Sequence, residues 1–220
     1  EQGDDAVTAH FADGTLATAE LLIGADGIRS TVRAQLLPQA KPAYAGYLAW
    51  RGLAEESAVS ADTRRMLSDR MGFCLPPGEQ MLTYLVAGRD NSTRVGERRF
   101  NFVWYRPADE KTELPMFLTD AEGHHYEQNI PPNRIRPQVI ADMHANAERL
   151  LAPPFVDIVR ATNEPLFQPI YDLVSPRMVR GRVALLGDAA FVARPHVGLG
   201  VTKAAGDAVA LVDALEQYKS

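Results

Sequence analysis

The chain has 220 residues, 46% hydrophobic and 23% charged, with a formal net charge of −5 and one cysteine. That length can bury a core in one or two domains, and the acidic balance argues against a nucleic-acid surface. No apolar run approaches the ~20 residues of a membrane span, the start Glu1-Gln2-Gly3-Asp4-Asp5 is too polar for a signal peptide, and the lone Cys74 permits no internal disulfide, which fits a reducing, cytoplasmic setting.

Residues 6 to 23 read as a hairpin feeding a third strand. Val7 to Phe11 and Leu16 to Glu20 flank Asp13-Gly14, the signal of a two-residue hairpin turn. Leu21-Leu22-Ile23 reads as a buried strand that runs out into Gly24-Ala25-Asp26-Gly27. Ser30 is placed to cap a short helix over Thr31 to Leu36, and Pro38 stops it. Asp26-Gly27 has two readings: a tight turn with a hydrogen-bonding aspartate, or an acid at a strand end offered to a ligand hydroxyl. Arg29 suits a phosphate or carboxylate and equally a solvated surface.

Residues 41 to 175 differ in texture. Tyr47 to Leu53, Met81 to Ala87 and Arg99 to Tyr105 alternate with period two, which is antiparallel-sheet patterning. Phe100, Phe102 and Trp104 share one face of the last strand, which Arg106-Pro107 ends. Most aromatics on strands are core, although Trp50, Tyr84, Phe102, Trp104, Tyr105 and Tyr171 are also the residues that would line an aromatic pocket. Arg64-Arg65 and Arg98-Arg99 read as solvated charge pairs. His124-His125 lacks the cysteines or carboxylates that complete a metal site and reads as loop. A helix is predicted between Arg136 and Leu151, with Pro137 in its first turn, Val139, Ile140, Met143, Ala147 and Leu150 as its apolar stripe, and Pro153-Pro154 closing it. Leu166 to Tyr171 reads as a strand placed at an edge by Pro169.

The stretch from Gly181 to Leu215 carries most of the information. Val183 to Leu186 is a continuous apolar run, as in a strand buried on both faces of a parallel sheet. Gly187-Asp188 follows, so an acid sits at the carboxyl end of that strand, where open α/β sheets bind ligands. Pro195, Gly198 and Gly200 then lead into a helix whose Val201, Ala204, Ala205, Ala208, Val209, Val212 and Leu215 keep to one face. Glycines at a helix mouth let a polar, electron-rich group approach bare backbone N–H groups.

The run Gly187-Asp188-Ala189-Ala190-x4-Pro195-x2-Gly198-x-Gly200-x5-Gly206-Asp207-Ala208 resembles the second signature of FAD-dependent aromatic hydroxylases of the para-hydroxybenzoate hydroxylase type. Leu22-Ile23-Gly24-Ala25-Asp26-Gly27-Ile28-Arg29-Ser30 resembles the DG signature of the same family. The resemblance implies an α/β fold: a partial Rossmann-like FAD-binding domain in two segments, 1–40 and 176–220, and an inserted α+β substrate domain, 41–175, on a mostly antiparallel sheet that forms one wall of the active site. It implies FAD, with NADH or NADPH as co-substrate, and O2 activated at flavin C4a as a hydroperoxide that hydroxylates a small phenolic or hydroxypyridine-type ring. No metal is implied, and a homodimer is allowed.

The residue roles it implies are specific. Asp26, Gly27 and Arg29 would lie beside the cofactor. Gly187 and Asp188 would meet its ribityl and pyrophosphate region, and Pro195 the isoalloxazine edge. Gly198, Leu199 and Gly200 would turn backbone N–H groups toward N1 and the C2 carbonyl, where a helix N-terminus stabilises an anionic reduced flavin. Many relatives carry His where this chain has Phe191. Arg194-Pro195-His196 instead resembles the hydroxypyridine branch, with His196 taking or orienting the proton of a ring hydroxyl or else bonding to backbone or water. No G-x-G-x-x-G turn occurs, so the chain is expected to be a fragment or truncated product lacking the first part of the FAD domain. Two alternatives stay open: a non-catalytic fragment that needs the missing segment, and a flavin oxidoreductase that does not hydroxylate.

Overall fold

The structure is a computed structural model and describes residues 1–219. In chain order its elements are β1 (Val7–His10), β2 (Leu16–Ala19), β3 (Leu22–Gly24), α1 (Thr31–Leu36), β4 (Ala43–Glu55), α2 (Ala61–Leu67), β5 (Gly72–Cys74), β6 (Gln80–Val86), β7 (Arg99–Pro107) and α3 (Leu114–Phe117). The chain continues through α4 (Pro137–Leu150), α5 (Pro153–Arg160), β8 (Leu166–Val174), β9 (Val179–Arg180), β10 (Val183–Leu185), β11 (Phe191–Val192) and α6 (Gly200–Lys219). Two compact units result: a discontinuous one, Glu1–Ala45 with Tyr171–Ser220, and a continuous one, Gly46–Ile170.

The discontinuous unit is built on a three-stranded sheet in the order β3-β10-β9. β10 is parallel to β3, with Val183 opposite Leu22, Ala184 opposite Ile23 and Leu185 opposite Gly24. As the middle strand, β10 buries all three of its apolar residues. β3 departs from the expected buried strand, because Ile23 is 48% exposed. Gly24 faces α1, where an added Cβ would lie 2.9 Å from Val32 and Leu185. Strand alternation therefore turns Ile23 to the other face. Beneath α1, Leu37, Leu185 and Ala190 form a small core with Val32, Leu36 and Ala40.

The β1–β2 hairpin pairs Val7 with Ala19 through His10 with Leu16. Its connection is not the expected two-residue turn. Gly14 N–H donates to the Phe11 carbonyl, Phe11 N–H to the Thr15 carbonyl, and Asp13 accepts from the Thr15 amide and hydroxyl. The aspartate's bonds to Thr15 thus widen the loop to five residues, 11–15. α6 also departs from expectation. Its partly covered line is Lys203, Ala204, Asp207 and Leu211, whereas Val201 (87% exposed), Val209, Val212 and Leu215 of the apolar stripe lie open. The helix is held through polar groups, described below, which set its covered line beside the apolar one.

The continuous unit is built on an antiparallel sheet within the strand order β11-β8-β4-β7-β6-β5, and β11 pairs with Leu173 and Val174 at the end of β8, beyond Pro169. β4 and β7 pair from Tyr47–Pro107 to Glu55–Arg99, and β7 ends at Pro107 as expected. Trp50, Phe100, Phe102, Trp104 and Met81 are fully buried. Trp50 meets Phe117 and Phe167 edge-on at 6.4 and 5.1 Å, which places α3 on this face. α4 buries Val139, Met143 and Ala147 of the predicted stripe. Pro153-Pro154 does more than close α4, since the two prolines form the first turn of α5, where a missing N–H costs nothing.

Of the two arginine pairs expected to be solvated, Arg65 is exposed and pairs with Asp62 at the surface, while Arg64, Arg98 and Arg99 are partly buried. Arg98 forks onto Glu56, at 2.7 Å from Nη2 and 2.9 Å from Nε, and reaches Asp69 through Nη1 at 2.7 Å. Arg64 donates to the Glu56 and Val59 carbonyls. Both enclose Glu56, which is 1% exposed.

Candidate functional site

β3 and β10 run parallel in register, so the loops after Gly24 and Leu185 leave the same edge of the sheet. This is the carboxyl edge, where parallel sheets collect ligands. Asp26 and Asp188, from opposite ends of the sequence, are brought to that edge together.

Their carboxylates differ in state. Asp26 Oδ2 accepts from the Thr31 amide at 2.7 Å and the Val32 amide at 3.2 Å, while Ser30 Oγ accepts from the Arg33 amide at 2.8 Å. Asp26 and Ser30 together cap α1. Burial alone would raise the Asp26 pKa, but hydrogen bonds from Ser30, Val32 and Thr31 outweigh it and hold the group below its usual value. Asp188 is exposed and has no hydrogen-bond partner among the described residues.

Arg33 joins the two loops. It is 3% exposed and donates to the Ala189 carbonyl at 3.0 Å, the Ala40 carbonyl at 3.2 Å and the Ile28 carbonyl. One guanidinium thereby fastens the Asp26 loop to the turn containing Asp188. Burial lowers its pKa, and the neighbouring Asp26 charge opposes that.

Gly187 carries the second fastening. It is buried at φ +57°, in the left-handed region, and an added Cβ would sit 3.4 Å from the Ala204 Cβ. Its N–H donates to Asp207 Oδ2 at 2.9 Å, and its carbonyl accepts from Lys203 Nζ at 2.8 Å. Lys203 and Asp207 pair at 2.7 Å, and the Lys203 ammonium lies 5.4 Å from the centre of the Phe191 ring. This latch fixes the start of α6 against the strand end.

Between latch and strand, Pro195–Val197 form a 3-10 turn closed by Gly198 at φ +69°. Of the three residues expected to present amides, Gly198 has its own committed to the Pro195 carbonyl at 3.0 Å. The amides of Leu199, Gly200, Val201 and Thr202 find no acceptor among the described residues, and all four residues are exposed. They are the orphan donors of a helix start, carrying its positive dipole end. Arg194, before the turn, binds Asp172 of β8 through Nε and Nη2. His196 and Arg29 are both exposed.

Arg33, Lys203, Asp207 and Asp172 were not singled out from the sequence. Asp207 lies inside the quoted signature, and Lys203 stands four residues before it, the spacing of a helical ion pair. That signal was legible. The partners of Arg33 and Asp172 are not local, so spacing carries no trace of them.

In the continuous unit, a cleft of about 270 Å³ opens between the helices and the sheet, lined by Trp50, Arg106, Glu113, Phe117, Asp142 and Met143 among others. Its charged groups are already engaged: Arg106 with Glu79, Glu113 with the Asp109 amide and Asp142 with Gln138. None of the signature residues lines it. His124 and His125 lie in an exposed loop, and among the described residues no cluster of three His, Cys, Asp or Glu side chains is arranged to hold a metal.

Fold and loops together describe a flavoprotein-type α/β architecture, and comparison with known proteins agrees. Residues 44–172 match the family model described as FAD binding domain-like, and the chain belongs to that family. It is 35% identical over 212 residues to 2,6-dihydroxypyridine 3-monooxygenase of Paenarthrobacter nicotinovorans, covering 96% of this chain and 52% of that protein. It is 28% identical to 6-hydroxynicotinate 3-monooxygenase of Bordetella bronchiseptica, over 99% of this chain and 49% of that protein. Among solved structures, 2,6-dihydroxypyridine-3-hydroxylase from Arthrobacter nicotinovorans superposes with a TM-score of 0.89 at 35% identity, over 97% of this chain and 53% of that one. HpxO of Klebsiella pneumoniae, solved with FAD and uric acid, gives 0.63 at 27% identity, over 93% and 44%. The chain thus spans about half the length of the curated relatives it matches.

Proposed function

We propose that this chain is part of a cytoplasmic FAD-dependent monooxygenase that hydroxylates a phenolic or hydroxypyridine-type ring with NADH or NADPH and O2. The observation that carries the reading is the juxtaposition, at one carboxyl edge, of an unpartnered carboxylate, Asp188, and the four unpaired amides of Leu199 to Thr202. A ligand with sugar-like hydroxyls and electron-rich ring acceptors answers both, and FAD has both. When bound, FAD supplies electron transfer from the nicotinamide and the activation of O2.

The chain's own residues have separate tasks in this reading. Asp188 accepts from a ribityl hydroxyl. The Leu199 and Gly200 amides donate to the N1 and C2 carbonyl region, with Gly198 shaping the turn and the helix start stabilising negative charge there. Asp26, Gly27 and Arg29 line the neighbouring loop, with Asp26 mainly fixing it, and Gly187 carries the latch. Pro195 shapes the edge of the reactive face, and His196 holds or removes the ring-hydroxyl proton. In this reading the unit at 46–170 is the substrate-binding domain. The run Arg194-Pro195-His196 supports the hydroxypyridine branch, as do the two relatives named for pyridine-type substrates.

The test is an absorbance spectrum of purified protein, then NADH and NADPH oxidation with 2,6-dihydroxypyridine, 6-hydroxynicotinate and hydroxybenzoates, with product analysis. Bound flavin and a hydroxylated product are expected. Colourless protein that cannot be loaded with FAD rejects the reading, and oxidation indifferent to every ring identifies a flavin oxidoreductase instead.

A further inference from the structure

The cleft of the continuous unit lies between the sheet and the helices α3 and α4, and every residue lining it belongs to 46–170. Its inner wall is apolar and buried, with Leu48, Trp50, Val139 and Met143. Phe117 meets the Trp50 ring edge-on at 6.4 Å. An indole N–H taken out of water normally finds an acceptor. That of Trp104 has one, Glu79 Oε2 at 2.8 Å. Trp50 is 1% exposed, and its indole N–H has no acceptor among the described residues.

The carboxylates of the cleft are engaged through one oxygen each. Asp142 Oδ1 accepts from the Gln138 side-chain amide at 2.8 Å, and Glu113 Oε2 accepts from the Asp109 amide at 2.7 Å. The second oxygen of each has no donor, and neither group has an ion-pair partner, among the described residues. Arg106 differs, because its Nε lies 3.2 and 3.1 Å from the two oxygens of Glu79 and its guanidinium sits 4.7 Å over the Trp104 ring. That pair is neutral as a unit. Arg136 and Arg149 bond instead to the Met116 carbonyl and the Asn146 side chain. The surplus charge of the cleft is therefore negative and sits on two exposed carboxylates at its mouth. An apolar cavity of about 150 Å³ holds benzene, so the 270 Å³ here admits one ring with a short chain.

We propose that this cleft binds a small aromatic amine: a single ring with a short aminoalkyl chain and a ring hydroxyl. The ring lies against Trp50, Phe117 and Met143, where aromatic edges and a thioether favour it. The ammonium reaches the open oxygens of Asp142 and Glu113 and forms charge-assisted bonds at the rim. The ring hydroxyl accepts from the Trp50 indole N–H. None of the signature residues takes part, so the site stands whether or not the protein hydroxylates. A ligand held there ties α3 and α4 to the sheet and stabilises the unit by its own binding.

The test is calorimetric titration of the purified protein with four probes of one shape. These are tyramine, phenethylamine without the ring oxygen, 4-ethylphenol without the ammonium, and 3-(4-hydroxyphenyl)propionate with the end charge reversed. Tyramine is expected to bind about tenfold or more tighter than 4-ethylphenol and the propionate, and about two- to tenfold tighter than phenethylamine. Asp142→Asn combined with Glu113→Gln is expected to weaken tyramine by about tenfold or more and leave 4-ethylphenol unchanged. Asp213→Asn, at an exposed acid of α6, should bind every probe as the parent does, which separates the site from general attraction to an acidic protein. No measurable tyramine binding, equal affinity for tyramine, 4-ethylphenol and the propionate, phenethylamine as tight as tyramine, or a double variant that binds tyramine as the parent does overturns the proposal. If the double variant does not fold, Asp142→Asn alone decides, because its side-chain oxygen can still accept from Gln138.

Discussion

Glu56 keeps its carboxylate out of water between Arg98, the Gly96 amide at 2.8 Å and the Ser68 hydroxyl at 3.3 Å. The hydrogen bonds from Arg98 outweigh the burial penalty, and its pKa falls from 4.5 to about 2. A carboxylate depressed on folding stabilises the protein fully above its unfolded value and loses that contribution as pH falls through the folded one. Stability should therefore decline between pH 4.5 and about 2 by roughly 3 kcal/mol at most from this group. Denaturant melts across that range check it, with Glu56→Gln flattening the decline. Arg98→Met should cost about 3–5 kcal/mol, because it strands a buried charge, and adding Glu56→Met should restore much of it. Arg98 was expected in solvent because its partner stands 42 residues away, and no local pattern encodes such a pairing. The reverse holds for Asp26 and Ser30, whose bonds reach at most six residues and were legible as turn and cap chemistry. Asp26→Ala should cost about 1 kcal/mol through the lost cap, read in thermal melts.

At the scale of elements, the latch between Gly187 and α6 carries two predictions. Gly187→Ala places a side chain at φ +57°, which costs about 1–2 kcal/mol, and brings its Cβ against Ala204. Lys203→Met removes donors from the Gly187 carbonyl and from Asp207, for about 1–3 kcal/mol. Both should release bound FAD more readily in flavin-fluorescence dilution assays than a stability-matched change elsewhere. Asp172→Asn differs in kind. The Arg194 pair is 40–44% exposed, so stability should move by less than about 1 kcal/mol, while loosening of the turn carrying Pro195 and His196 should slow the proposed hydroxylation, read in the nicotinamide-oxidation assay. Helix α4 was readable because a proline start and a clean apolar stripe coincide within 14 residues. α5 was not, because Pro153-Pro154 signals the end of one helix and the start of the next equally well. The α6 stripe was read as a buried face, but periodicity shows which residues share a side and not what covers them.

At the scale of the molecule, the ends of the sequence make one unit and the middle makes the other. The two signatures were legible as strand, glycine and acid, and their meeting rests on three register pairs between β3 and β10. The middle was legible as antiparallel sheet because alternation is strict there. The assignment of faces was less so, since Trp50 and Tyr84 looked alike in sequence yet lie on opposite sides of the sheet. The discontinuous unit predicts a fragment behaviour. Limited trypsin cleavage at the exposed Arg89 or Arg94, between β6 and β7, should give two pieces that co-elute in native size-exclusion chromatography and separate in denaturant. Pairing of β3 with β10 and of β6 with β7 joins segments on either side of the cut.

Polar bonds to the strand end anchor the start of α6. The bonds from Lys203 and Asp207 to Gly187 fall within the opening turns of a helix of 20 residues, and Val209, Val212 and Leu215 beyond them face solvent. Deuterium uptake should therefore climb from Lys203 toward Leu215, with distance from the anchor. The amides that would meet a ligand belong to the anchored end, so the outer turns can open and close without disturbing the donors.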